Sequence, residues 1–192
     1  KGGEVKISIA WVGAMAYAMQ IYFDFSGYSD MAIGLARMFG FTIKENFNYP
    51  YIALSMKDFW TRWHISLTNW FREYLYIPLG GNRRGLGRTC INILIVFACT
   101  GLWHGAQWTF VIWGIFHGFF MVLETCGFIK PEKLPVVLRR FYALTVAVVG
   151  FTIFRAESLA QALSMVGRMF AGFQWDTEYT ALLNEIVTLP VL

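Results

Sequence analysis

The sequence is short of charge. Only 15% of its 192 residues are Asp, Glu, Lys or Arg, while 57% are hydrophobic. Soluble domains carry about 25% charged residues and about 45–50% apolar ones. The imbalance excludes a disordered chain and an ordinary soluble enzyme. Cysteine is scarce and unpatterned. Cys90, Cys99 and Cys126 form no C-x-x-C, so neither a disulfide framework nor a structural zinc site is supported. The P-loop signature is absent, as are H-E-x-x-H, H-x₃-H and the G-x-S-x-G of serine hydrolases. No apolar run alternates with period two, as a membrane barrel requires. The reading is all-α, a polytopic membrane helical bundle.

What is abundant fits that reading. There are 18 Gly, 18 Phe and 8 Trp, residues tolerated in membrane helices or enriched at their interfaces. Uncharged runs fall where spans of about 20 residues are expected. Ile7 to Phe23 gives 17 residues, Thr89 to Leu123 gives 35, and Phe141 to Phe154 gives 14, the last flanked by Arg139, Arg140 and Arg155, which can snorkel. Thirty-five residues are too many for one span and few for two. A break is therefore expected at Thr100-Gly101-Leu102-Trp103-His104-Gly105-Ala106-Gln107. Irregular backbone inside a membrane must be buried in protein or line a cavity. Residue 1 is Lys, no signal peptide is visible, and the chain closes on Leu189-Pro190-Val191-Leu192 without a polar tail. The expectation is a fragment of a longer polytopic protein.

The basic residues are concentrated. Lys57, Arg62, Arg72, Arg83, Arg84 and Arg88 face only Asp58 and Glu73 between residues 57 and 88, a surplus of +4 that equals the net charge of the whole chain. By the positive-inside rule this segment is cytoplasmic or at that interface. A second reading, compatible with the first, is that the cations meet an anionic acyl donor. Asp58 to Tyr76 reads as one amphipathic interfacial helix. Trp60, Trp63, Leu67, Trp70 and Tyr74 lie on one side, and Asp58, Arg62, Ser66, Asn69 and Glu73 on another. The turn Pro78-Leu79-Gly80-Gly81-Asn82-Arg83-Arg84-Gly85 ends it, either as a plain loop or as a phosphate-holding turn.

Ionisable groups elsewhere are few enough to weigh singly. Asp24 and Asp30 flank Ser26-Gly27-Tyr28-Ser29, and Asp30 stands two helical turns before Arg37, a possible ion pair. The three histidines are His64, His104 and His117. His104, at the expected break, is either a general base reached by a tunnel or a hydrogen-bonding strut between helices. His117 lies among aromatics and reads as packing. A tri-histidine metal site has no supporting spacing.

Four stretches, in this order, carry a resemblance. They are Phe23-Asp24-Phe25-Ser26-Gly27-Tyr28-Ser29-Asp30, Asp58-Phe59-Trp60-Thr61-Arg62-Trp63-His64-Ile65-Ser66-Leu67, Tyr74-Leu75-Tyr76-Ile77-Pro78-Leu79-Gly80-Gly81-Asn82-Arg83 and Gly101-Leu102-Trp103-His104-Gly105-Ala106. Across roughly residues 5 to 155 the chain resembles the membrane-bound O-acyltransferase family, in the branch that acetylates alginate, peptidoglycan or cellulose. The resemblance implies that residues 1–192 are the C-terminal part of a single domain whose N-terminal spans are missing. It implies acetyl transfer from a cytoplasmic thioester, acetyl-CoA or a carrier-linked acyl group, to hydroxyls of an exported polysaccharide. It makes His104 and His64 the catalytic pair. Trp103, Asp30, Arg62, Ser66, Asn69, Arg83 and Arg84 are the expected substrate-binding residues. It calls for no bound cofactor, no metal and no nucleic acid. The implied partners are membrane lipid and extracytoplasmic acetylation proteins, and the implied location is the bacterial inner membrane, crossed several times. Two alternatives are D-alanyl transfer to teichoic acid and a non-catalytic transporter or export scaffold.

Overall fold

The computed structural model describes residues 7–170. Lys1, Leu189 to Leu192 and the full extent of the 1–192 domain reading lie outside the described residues. Among the described residues every regular element is helical: α1 (Ile7–Met38), α2 (Met56–Arg62), α3 (Ile65–Phe71), α4 (Leu86–His104), α5 (Trp108–Thr125), α6 (Val136–Arg155) and α7 (Leu159–Phe170). The all-α reading therefore holds.

Three helices, α4, α5 and α6, are long and apolar enough to cross a membrane. The 35-residue uncharged run becomes two of them because α4 begins before Arg88, at Leu86, and α5 continues past Glu124 to Thr125. The break falls at Gly105, Ala106 and Gln107, inside the expected window. The hairpin closes tightly on a seam of glycines. A Cβ on Gly101 would strike the carbonyl oxygen of Phe110, and one on Gly114 would strike that of Phe97. Gly114 and Gly118 stand four apart, the small-residue spacing that lets membrane helices approach closely. α6 packs against α1, α5 and α7, and every residue from Val146 to Ile153 is buried.

Two expectations need correction. The first uncharged run does not stand alone as a span. It is the first half of a 32-residue helix that continues through Asp24, Gly27 and Asp30, and α1 is not among the three apolar spans. Tyr17, Gln20 and Tyr22 dilute its hydropathy. Asp30 does not pair with Arg37 either. Two turns set their Cα atoms about 10 Å apart, and Arg37 Nη2 instead reaches Glu45 Oε1 at 3.5 Å, in the loop that follows.

The largest correction concerns Asp58 to Tyr76. It is not one helix. α2 stops at Arg62, His64 adopts left-handed backbone (φ 46, ψ 54), α3 restarts at Ile65, and Arg72–Tyr76 forms a π-helical turn. The two halves run in opposite senses. Met56 sits at Glu124 and Trp60 packs on His117, so α2 runs antiparallel to α5. Thr68 and Phe71 then share a cavity wall with Val96 and Thr100, and Tyr76 shares one with Thr89. α3 therefore runs back along α4. The result is a V with His64 at its tip. The expected aromatic stripe divides accordingly: Trp60 and Trp63 are buried, whereas Trp70 and Tyr74 are exposed.

The V is tied down at its open end by a carboxylate. Glu124, buried near the end of α5, accepts from the backbone N–H of Met56 (2.7 Å) and Lys57 (3.1 Å) and from the Tyr142 hydroxyl (3.1 Å). These are unpaired donors of the first turn of α2, where negative charge is favoured. Within α2, Ser55 caps Asp58 N–H (3.0 Å), and Asp58 pairs with Arg62 (2.7 Å).

Two stability predictions follow from these contacts. Gly114→Ala drives a Cβ into the Phe97 carbonyl and is expected to cost about 1–3 kcal/mol. Gly34→Ala, which meets only open space, should not destabilise the helix. Glu124→Ala strands two N–H donors and should cost about 1.5–3 kcal/mol for the lost charged hydrogen bonds. Thermal unfolding of the full-length protein in detergent checks both.

Candidate active site

A cavity of about 430 Å³ opens between the tip of the V and the α4–α5 turn. Its polar wall groups include Asp24 of α1, His64 and His104. The remaining wall is largely aromatic, including Trp103, Trp113 and Phe154. Two histidines 40 positions apart in sequence thus face one space because two separate chain breaks meet there.

His104 is the last residue of α4, and the following Gly105 takes φ 158. Its ring is boxed by aromatic side chains: edge-on by Trp103 at 4.9 Å, Trp113 at 5.1 Å and Phe154 at 5.1 Å, and by a tilted Phe110 at 6.4 Å between centroids. A Cβ on Gly105 would come within 2.8 Å of Phe110, so glycine lets that ring close the box. Packing by edges fixes the imidazole plane, and no hydrogen bond among the described residues occupies its nitrogens. Trp103 also bridges to His64, with centroids 6.0 Å apart.

His64 is held differently. The loop after α1 runs beside the break, so that Ile65 N–H donates to Asn46 O (3.0 Å) and Asn48 N–H to Arg62 O (2.9 Å). The Asn46 side chain completes the join. Its Oδ1 accepts from Ser66 N–H (3.0 Å) and the Ser66 hydroxyl (2.9 Å), and lies 3.3 Å from His64 Nδ1. Because Ser66 N–H can only donate, Oδ1 is fixed as the acceptor. A proton on His64 Nδ1 would have this oxygen as its acceptor and leave the lone pair on Nε2; the Ser66 hydroxyl lies 3.5 Å from the same nitrogen. Burial lowers the His64 pKa to about 4, and nearby His104 adds to the effect. The ring is neutral near pH 7.

His117 lies outside this space. It is fully buried between Trp60 (5.1 Å) and Trp113 (5.3 Å), and Gly150 of α6 leaves room for its ring, which a Cβ there would strike. The packing position read from its aromatic neighbours is the one it occupies.

The other expected binding residues are scattered. Trp103, 58% exposed, lines the histidine cavity, and Ser66 stands behind His64 through Asn46. Asp30 lines a different cavity of about 740 Å³ beside Glu45 and Asn48. Arg62 is engaged with Asp58 and, at 3.2 Å, with Asn48 O. Asn69, Arg83 and Arg84 are exposed. The turn bearing the two arginines is pinned by buried Asn92, whose amide donates to Gly81 O at 2.9 Å. Lys57 and Arg72, by contrast, do line a cavity. With Tyr76, Asn82, Thr89 and Thr125 they bound a space of about 370 Å³ at the open end of the V. A narrow apolar space of about 90 Å³ shares Trp60 and Leu67 with the histidine cavity, and Thr68, Val96, Phe97 and Met121 with the basic one. The three spaces follow one another along the inside of the V.

Asn46 and Glu124 were not among the expected site residues. No periodicity or motif marks Asn46 in Lys44-Glu45-Asn46-Phe47, and Glu124 stood out only as the charge ending an apolar run. Asp24 was noticed as an isolated acid, but nothing in the sequence aimed it at the histidines.

Chemically, the cavity offers imidazoles to take or return a proton and the Asp24 carboxylate on the same wall, among largely aromatic side chains. Sequence comparison gives this geometry its context. The sequence model of MBOAT, the membrane-bound O-acyltransferase family, matches residues 4–166. The chain is 50% identical over 169 residues to the protein named probable alginate O-acetylase AlgI in Azotobacter vinelandii, covering 86% of this chain and 34% of that one. It is 42% identical over 164 residues to the peptidoglycan O-acetyltransferase of Helicobacter pylori, covering 83% and 31%. It is 37% identical over 119 residues to the teichoic acid D-alanyltransferase of Bacillus subtilis, covering 57% and 29%. The chain spans about a third of the length of the curated relatives it matches. By the extent of the family match and the identity to these relatives, the chain belongs to the membrane-bound O-acyltransferase family.

Proposed function

We propose that this chain is the histidine-bearing part of a membrane O-acetyltransferase that acetylates hydroxyls of an exported polysaccharide such as alginate, in the bacterial inner membrane. The observation that carries the reading is the single cavity holding His64 and His104. The alginate and peptidoglycan acetylating relatives match more of the chain, and at higher identity, than the D-alanyltransferase, which favours acetyl as the acyl group.

In the proposed reaction His104 accepts the acceptor hydroxyl proton as its oxygen attacks the thioester carbonyl. The C–S bond then breaks, and the same imidazole returns the proton to the leaving thiolate. Such acid–base catalysis supplies about 10²–10⁴-fold. Positioning between the aromatic walls supplies much of the rest. His64, with its lone pair on Nε2, holds a reactant hydroxyl or thiol by accepting from it. Asn46 is a positioning residue that sets this tautomer, and Asp24 orients whichever imidazole is transiently charged. The donor is an acyl thioester, acetyl-CoA or a carrier-linked acyl group, and it enters at the basic end. Arg83, Arg84 and Arg88 precede or begin α4, Lys130 and Lys133 lie between α5 and α6, and Arg139 and Arg140 stand in the first turns of α6, so one end of all three spans is basic. The charge rule makes that end cytoplasmic. Lys57 and Arg72 would meet the donor's phosphates there, and the apolar constriction would admit only a short acyl arm. The polysaccharide and extracytoplasmic acetylation proteins would approach from the other side.

Three outcomes test this reading. Full-length His104→Ala, at normal membrane abundance, should lose acetyl ester on exported polymer; undiminished acetylation would contradict the catalytic role, as an export scaffold requires. Asn46→Ala should slow transfer about tenfold, the worth of roughly one hydrogen bond. Asn46→Asp, which keeps the acceptor, should restore most of that rate. Lys57→Gln with Arg72→Gln should raise the donor KM about tenfold or more, as expected for lost charged contacts. Arg83→Gln with Arg84→Gln should change it less, and the polysaccharide KM should stay level in both.

A further inference from the structure

Cys90 and Cys126 are separated by 36 positions, yet their sulfurs lie 3.1 Å apart. Cys90 stands in the first turns of α4, and Cys126 is the C-cap of α5. Both are free thiols, and both are partly exposed. They face each other across the open end of the α4–α5 hairpin, opposite the turn at Gly105. Their neighbours Thr89 and Thr125 both line the basic cavity. Cys99 is nine residues further along α4, about 14 Å by helical rise, and so is out of reach of the pair.

We propose that Cys90 and Cys126 form a reversible dithiol–disulfide site that staples α4 to the end of α5 when hydrogen peroxide reaches the basic end of the protein. The sulfurs need approach by only about 1 Å to reach bonding distance. One thiol attacks the peroxide. The O–O bond breaks, water leaves, and a sulfenic acid forms. The second thiol attacks that sulfur, the S–O bond breaks, a second water leaves, and the S–S bond closes. Two thiols are oxidised, one peroxide is reduced, and two waters carry away the protons. A reducing thiol such as glutathione reverses the bond by exchange. In a reducing cytoplasm the pair rests as two thiols and closes only under oxidative challenge.

The test needs no variant that must fold. Membranes carrying the full-length wild-type protein are treated with hydrogen peroxide, alkylated, digested and analysed by mass spectrometry. The expected result is a linked peptide joining Cys90 to Cys126 in most of the population. Alkylation of both should fall severalfold, that of Cys99 should be unchanged, and reduced glutathione should reverse the link. Cys99→Ser should behave identically. Unchanged alkylation of Cys90 and Cys126 would overturn the assignment, as would a link from either of them to Cys99. Neither readout depends on acyl transfer, so this proposal and the catalytic one fail separately.

Discussion

The site depends on a backbone that is broken in apolar surroundings. Each break exposes N–H and C=O groups that water is not there to satisfy, so the protein must satisfy them from within. At the open end of the V, the Glu124 carboxylate takes the N–H groups of Met56 and Lys57. At its tip, Asn46 takes those of Ile65 and Ser66, one with its backbone oxygen and one with its side chain. These bonds let a seven-residue helix, too short to be stable by itself, keep a fixed direction. With that direction fixed, Trp60 packs against α4 and α5, and Trp63 against α1 and α6. His64 is left as the one residue of the segment that turns through left-handed backbone. The cost of that backbone in a non-glycine residue, about 1–2 kcal/mol, is offset by the surrounding bonds. Strain concentrated at a cavity-lining histidine is where function is expected to sit.

The second break obeys the same rule with different means. The α4–α5 hairpin closes tightly because its seam is made of Gly101 and Gly114, against which backbone carbonyls of the opposite helix lie directly, and Gly118, against which the Phe97 and Leu94 side chains lie. The turn this permits puts His104 at the end of a helix, with its ring clamped edge-on and, among the described residues, no hydrogen bond to its nitrogens. One histidine is thus held by hydrogen bonds and the other by aromatic edges. The first arrangement gives a proton on Nδ1 an acceptor. The second takes no hydrogen bond from the ring among the described residues, which suits the exchange of a proton by the proposed base and acid.

Much of this was legible in the sequence, for identifiable reasons. Spans α4 to α6 follow from the absence of charge, and the break at Gly105 follows from two glycines inside a run of the wrong length. The break at His64 was not legible. Trp63-His64-Ile65 contains neither glycine nor proline, and the 3- and 4-residue spacing of Trp60, Trp63, Leu67 and Trp70 is helical on both sides of it. A periodic pattern survives an interruption that changes direction but not register. Asn46 and Glu124 were hidden for a related reason. Each acts on residues 20 and 68 positions away, and long-range hydrogen bonds leave no local signature. Charge counting found the basic segment but singled out Arg83 and Arg84 within it, whereas packing turns Lys57 and Arg72 toward a cavity.

The central claim is that His64 and His104 work together on one reaction in one cavity. A double-mutant cycle on the purified full-length protein tests it most directly, with acetyl transfer to a soluble oligosaccharide as the readout. Residues that act as a unit are strongly non-additive. The account predicts that His64→Ala combined with His104→Ala is about as slow as the slower single variant. A double variant whose loss equals the product of the two single losses would contradict it.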